Sequence, residues 1–266
     1  MSTSFQPNGI ITLLTDFGTQ DAYVGAMKGV ILSHHDQLRI HDLSHEIPAQ
    51  NIRHGAFVLK DLLPWFPAGT VHCCVIDPGV GSSRSALILQ IRDQLVVAPD
   101  NGLISWTGYQ PTDPIYEIPM PQGEKATKLS STFHGRDLFA PMAAALASGA
   151  QKLNQLSLLP ELPVHISWPD PQKQSETVFK GEVVCIDSFG NCITNITEED
   201  FKNVKRVEVK SNVSVSIRCV QTYSDADDGD FIALIGSSGL MEISSVNSNA
   251  AKKLNLGCTS EIKLLC

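Results

Sequence analysis

The sequence predicts an α/β protein in two parts: an N-terminal mixed β-sheet domain flanked by helices over residues 1–165, and a smaller C-terminal all-β barrel domain over residues 181–266. Three observations carry this. In the first half, short β-rich runs alternate with segments whose apolar residues recur at helical spacing. Residues 151–178 hold Pro160, Pro163, Pro169 and Pro171 without sustained periodicity, which places a linker at 166–180. Beyond it, short strand candidates follow one another across polar turns with little helical signal.

The first element, residues 10–14, has four apolar residues in five and runs into Thr15-Asp16-Phe17-Gly18, so it reads as a buried strand ending in a loop. Asp21 is placed to cap a helix carrying Tyr23, Val24, Met27, Val30 and Ile31. A strand pattern returns at 38–43, completing a βαβ unit. Ile52, Ala56, Phe57, Leu59 and Leu63 repeat the helical spacing over 49–63. Residues 70–76 are again a strand, closing in Asp77-Pro78-Gly79-Val80-Gly81. Residues 86–91 and 95–98 flank Arg92-Asp93-Gln94, a hairpin that adds antiparallel neighbours to the sheet. A helix over 136–146 ends at Ser148-Gly149-Ala150. Further strands are expected at 181–186, 205–209, 213–219, 231–235, 241–245 and 260–265.

Composition bounds the function. The chain has 266 residues, 42% of them hydrophobic, enough for one large core or two ordinary ones. With 20 Lys and Arg against 28 Asp and Glu, it lacks a basic run to neutralise a phosphate backbone, so nucleic acid is not an expected partner. No apolar stretch approaches the ~20 residues a membrane helix needs, and the N-terminus lacks a secretion-signal layout. A cytoplasmic protein without membrane contact is the expectation. Seven cysteines without a C-x-x-C pair fit neither a disulfide framework nor a zinc knuckle, and are read as mostly buried thiols.

Four polar loops lie where strands end or helices begin, the places an α/β protein puts its site. In the Asp77 loop, Gly79 and Gly81 let the chain turn back so that Arg84 approaches Asp77. Taken alone this is equally a structural brace. His134 precedes a glycine and a helix start, with Asp77, Asp137 or a carbonyl as its partner. Asp77, Arg84 and His134 together suit the polarising of one water: arginine stabilises hydroxide, and histidine takes the proton. Asp187, Phe189 and Asn191 combine a carboxylate for an ammonium, a ring for stacking and an amide for a purine edge, although an Asx turn explains them as well. Gly236-Ser237-Ser238-Gly239 and Asn247-Ser248-Asn249-Ala250 carry the same ambiguity. His41 and His45 suggest a metal, but residues four apart on a strand lie roughly 13 Å from each other. No metal site is assigned.

Six blocks taken in order resemble one known family: Thr15 to Gly18, Tyr23 to Gly29, Asp77 to Gly81, Ala98 to Gly102, Ser131 to Asp137, and Asp187 to Asn195. They are similar to the S-adenosyl-L-methionine (SAM) hydroxide adenosyltransferases, or SAM hydrolases, relatives of the SAM-dependent fluorinase and chlorinase. The resemblance implies an enzyme that cleaves SAM to adenosine and L-methionine, with no cofactor. It also implies a homotrimer with SAM at subunit interfaces. By the same resemblance Asp77, Arg84 and His134 are the water-activating triad and Asp16 holds the ribose hydroxyls. Asp187 meets the methionine ammonium, Phe189 and Asn191 the adenine, and Ser237 the methionine carboxylate; Asn249 and Ala250 lie at adenine contacts. A halogenase is the main alternative, but such relatives lack the Asp-Arg-His set and carry an extra loop that 84–99 is too short to contain. They also have a basic residue where Ser238 stands. A non-catalytic SAM-binding sensor is the third reading.

Overall fold

The computed structural model describes residues 5–265 apart from 124–126, 128, 176, 177, 203, 205 and 211–213. The chain divides into two units, Met1–Ser167 and Trp168–Cys266.

The first unit is built on a six-stranded sheet of β1 (Ile10–Thr15), β2 (Arg39–Ser44), β3 (Val71–Val75), β4 (Ala86–Ile91), β5 (Gln94–Pro99) and β6 (Ile115–Glu117), in the order β2-β1-β3-β5-β4-β6. The first four in this order run parallel, while β4 is antiparallel to both β5 and β6. The expected mixed sheet is therefore present. β3 is buried at every position, as a strand covered on both faces must be. Ile11, Leu13, Cys73 and Val75 share one core with Met27 and Ile31 of α1 (Tyr23–His34) and Ala140, Ala143 and Ala144 of α3 (Ala140–Ala147). α2 (Ile52–Leu62) completes the helices, with Asn51 accepting from the His54 amide at its N-cap.

Three local expectations are corrected. The N-cap of α1 is Ala22, with no side-chain bond, so Asp21 does not cap it. The β4–β5 connection is a two-residue turn with Arg92 and Asp93 both at positive φ, and Gln94 already belongs to β5. The helix expected over 136–146 begins as a π turn, Gly135–Phe139, before α3. Residues that widen a helix in this way recur at functional sites.

In the second unit, seven strands close into a barrel: β8 (Val178–Ile186), β9 (Cys192–Thr197), β10 (Arg206–Lys210), β11 (Ser214–Cys219), β12 (Phe231–Ile235), β13 (Leu240–Ser245) and β14 (Glu261–Leu265). Closure comes from the antiparallel β14–β8 pairing, which leaves no open edge between them. β7 (Gln172–Ser175) pairs with β8 outside this ring, so part of the segment assigned to the linker is strand. The candidates at 205–209 and 213–219 begin on residues 205 and 213, outside the described residues; their remainders are β10 and β11. β9 was not expected as a strand. Its polar residues Thr194 and Asn195 are buried and bonded to Met241 and Pro169 carbonyls, which hides the alternation a strand normally displays. α4 (Glu198–Phe201) follows β9, and α5 (Ala250–Leu254) packs Ala251 and Leu254 into the barrel core.

The described cysteines are all free thiols, and Cys73, Cys74, Cys185 and Cys192 are buried. Burial pushes the Cys73 and Cys192 thiols up to about 12, so they pack as small apolar residues. Cys266 lies outside the described residues.

Candidate active site

The strand order places the first group of residues. From β1 the chain crosses to β2 on one side and onward to β3 on the other, so the order reverses between β1 and β3. Open α/β sheets hold ligands at that point, beyond the carboxyl ends of the strands. Asp16 follows β1 directly, and Asp77 follows β3 after Ile76. Thr15 pairs in register with Val75, so the two acids leave adjacent strand ends.

Asp77 and Arg84 form a buried pair, with side chains 4% and 10% exposed. Arg84 Nε donates to Asp77 Oδ1 at 2.9 Å and Oδ2 at 3.1 Å, and Arg84 Nη2 donates to Oδ2. This forked contact fixes the guanidinium plane. Arg84 Nη2 also lies 3.0 Å from His134 Nδ1, and the guanidinium sits over the Phe139 ring, 5.2 Å from its centroid. The loop turns through Gly81, at φ +77, where a Cβ would fall 2.4 Å from the Ser131 carbonyl oxygen. Only glycine lets the Asp77 loop press against the segment that carries His134.

These distances correct one expectation. Asp77 orients Arg84, and it is Arg84 that orients His134. Asp137, the other partner considered for His134, instead pairs with Arg136 and accepts from the Ser130 amide. Since arginine only donates, His134 Nδ1 is the acceptor and the neutral ring carries its hydrogen on Nε2. His134 is 3% exposed, and burial, reinforced by the Arg84 charge, holds its pKa below the ordinary histidine value. Nearby Asp100 has its carboxyl raised by burial, against the pull of Arg84. Asn101 donates to the Ile76 carbonyl at 2.8 Å and braces the strand end before Asp77. Asp16 Oδ2 accepts from the Gln50 amide at 2.7 Å.

The second group lies on the barrel unit. Asp187, Phe189, Asn191, Ser237 and Asn249 line one cavity of about 860 Å³. Asp187 Oδ1 accepts from the Phe189 and Asn191 amides and Oδ2 from Asn191 Nδ2, so the Asx turn is formed and one Asn191 donor is already used. Phe189 stands 76% exposed, an unusual position for a phenyl ring. Asn249 Oδ1 caps α5 by accepting from the Lys252 amide. Ala250 is fully buried at the start of α5 and is not among the cavity-lining residues, so its side chain is not a contact there.

Glu242 and Tyr223 are among the cavity residues that escaped the sequence reading. Glu242 is 8% exposed, and its Oε2 accepts from the Tyr223 hydroxyl at 2.7 Å. Burial raises the Glu242 carboxyl, with the Asp187 charge adding to the effect, while burial and Glu242 push the Tyr223 hydroxyl up to about 12. A Cβ at Gly236 would fall 1.8 Å from Glu242 Oε1, so a side chain there would displace the carboxylate. A lone acid at the centre of the strand pattern Met241-Glu242-Ile243 was the available signal. Of the remaining candidates, His41 is exposed on β2 whereas His45 turns inward to Thr15, and among the described residues no group is placed to hold a metal.

Comparison with known proteins joins these observations. Residues 11–157 match the SAM hydroxide adenosyltransferase N-terminal domain, and residues 181–263 match the corresponding C-terminal domain. The chain is 36% identical to the (R)-S-adenosyl-L-methionine hydrolase of Methanocaldococcus jannaschii, over 96% of this chain and 95% of the relative. A fluorinase from Actinoplanes is more distant, at 27% identity over 94% and 95%. Among solved structures, an uncharacterized conserved protein from Thermotoga maritima superposes with a TM-score of 0.86 at 31% identity, covering 96% of this chain and all of that one. Two domain matches in sequence order, on the two units that carry the two groups of polar residues, mean that the chain belongs to the SAM hydroxide adenosyltransferase family.

Proposed function

We propose that this protein hydrolyses (R)-S-adenosyl-L-methionine to adenosine and L-methionine, by attack of water on the ribose C5′. The observation that carries the reading is the buried Asp77–Arg84–His134 chain at the sheet's switch point, within a family named for hydroxide transfer. The sulfonium leaves as a neutral thioether, so the leaving group needs no acid. What the protein must supply is a deprotonated water in line with the C5′–S bond. Once the direct 3.0 Å bond between Arg84 Nη2 and His134 Nδ1 opens, a water between them accepts from the cation and donates to the ring. As the C5′–O bond forms and the C5′–S bond breaks, its proton passes to Nδ1. Arg84, held rigid by Asp77, stabilises the developing hydroxide.

In this reading Asp16 holds the ribose hydroxyls through the carboxylate oxygen not used by Gln50. Asp187 and Glu242 give the barrel cavity the negative character that an ammonium and a sulfonium require. Phe189 stacks on adenine and Ser237 meets the methionine carboxylate. Asn191 and Asn249 retain polar atoms for the adenine edge, while Ala250 contributes at most its backbone. Because these residues fall on two units of the chain, a homotrimer in which one copy supplies the triad and its neighbour the barrel cavity accounts for them all.

The test is to incubate the purified protein with each sulfonium epimer in ¹⁸O-labelled water, with and without chloride or fluoride. Labelled adenosine from the (R) epimer, regardless of halide, is the expected result. A 5′-halogenated nucleoside identifies a halogenase instead, and intact substrate identifies a sensor.

A further inference from the structure

The mechanism leaves His41 and His45, and the acids Asp42 and Glu46 beside them, unused. The segment is ordered around His45, which is 4% exposed at the end of β2. His45 Nδ1 lies 2.8 Å from Thr15 Oγ1, and Nε2 lies 3.0 Å from Asp42 Oδ1 without the alignment of a hydrogen bond. Asp42 is in turn paired with Lys28 of α1 at 2.7 Å. Burial works against ionisation of Asp42, but Lys28 and His45 together hold its carboxyl below the usual range, so it is an acceptor only. With its hydrogen on Nε2, on the side of the Asp42 carboxylate, the neutral ring offers Nδ1 as the acceptor for the Thr15 hydroxyl. Thr15 Oγ1 still accepts from the Phe17 amide at 3.3 Å, and the His45 carbonyl accepts from the Gly18 amide at 2.7 Å. Asp16 lies between two residues tied to this one hydroxyl.

We propose that His45 is a positioning residue: through Thr15 and Gly18 it locks the turn that presents Asp16 to the nucleoside. Asp42, itself paired with Lys28, faces the ring's other nitrogen. The inference rests on the assignment of Asp16 to the ribose, and its function is preorganisation, since small misplacements of a binding group are costly.

Adenosine, the product, is the probe, titrated calorimetrically into the full-length protein. His45→Gln preserves a donor towards Asp42 but removes the Nδ1 acceptor, and it should weaken adenosine binding by about tenfold or more. His45→Asn places a polar atom near Nδ1 and should recover most of that loss. Thr15→Val and Thr15→Ser form an independent pair with the same contrast, so the question is decided even where His45→Gln fails to fold. In turnover, the loss should appear in KM more than in kcat. Wild-type affinity in both His45→Gln and Thr15→Val overturns the proposal, as does a Thr15→Ser protein as weak as Thr15→Val. Asp16→Ala separates the two levels: unchanged adenosine binding there refutes the ribose assignment itself, irrespective of His45.

Discussion

Arg84 is the residue on which the proposed triad turns, because it is the one of the three in contact with both of the others. Its guanidinium is satisfied on one side by the Asp77 carboxylate and presents Nη2 to His134 on the other. A cation beside a histidine disfavours the imidazolium, and burial acts in the same direction. His134 therefore stays neutral as pH falls below the ordinary histidine value of 6.5, and loses its basic lone pair only at its depressed pKa. The acid limb of kcat is expected below 6.5 accordingly. Arg84→Met removes the repulsion while Asp77 continues to favour the charged ring, so the His134 titration followed by NMR should move upward. A titration that stays in place contradicts the coupling. The same substitution should lower kcat by about two orders of magnitude or more, the loss expected for a donor aimed at developing negative charge. It also strands a buried carboxylate, at about 3 to 5 kcal/mol.

At the scale of elements, the site depends on loops held against each other by backbone contacts. The Asp77–Arg84 loop meets the segment before His134 at Gly81, whose positive φ and proximity to the Ser131 carbonyl leave no room for a side chain. Gly81→Ala should cost about 1 to 3 kcal/mol through strain and displaced packing, measured by chemical denaturation, and should lower kcat beyond what the stability loss explains. Full activity in that variant would show that the loop contact is not what sets the Arg84–His134 distance. The strands beneath these loops were legible because apolar runs in β1, β3, β4 and β5 are buried almost without interruption. β9 and the π turn were not. The polar residues of β9 are satisfied by partners 26 and 47 positions away, and the π turn has no periodicity of its own.

For the whole molecule, the proposed trimer makes a prediction that mass alone does not. The mass in solution should be three times the 28.8 kDa of one chain. If each site takes the triad from one copy and the barrel cavity from its neighbour, two inactive variants should complement. Asp77→Asn chains and Asp187→Ala chains, refolded together in equal amounts, should regain about a quarter of wild-type activity, the yield of one intact junction per mixed ring. No recovery from trimers proved to be mixed would place the whole site within a single chain.

The sequence by itself determined the division into an α/β part and a barrel, the family, and the choice of Asp77, Arg84 and His134 as candidates that the fold then brings into contact. These are written in local periodicity and in ordered blocks of residues, both of which survive without coordinates. Only the tertiary structure decided who touches whom. Arg84 rather than Asp77 meets His134, Glu242 joins the cavity, and His45 meets Thr15 beside Asp16. Each of these depends on strand order, on the register of β1 with β2 and β3, or on the closure of the barrel. Such pairings join residues tens of positions apart, and a one-dimensional pattern does not encode which distant hydrogen-bond donor finds which acceptor.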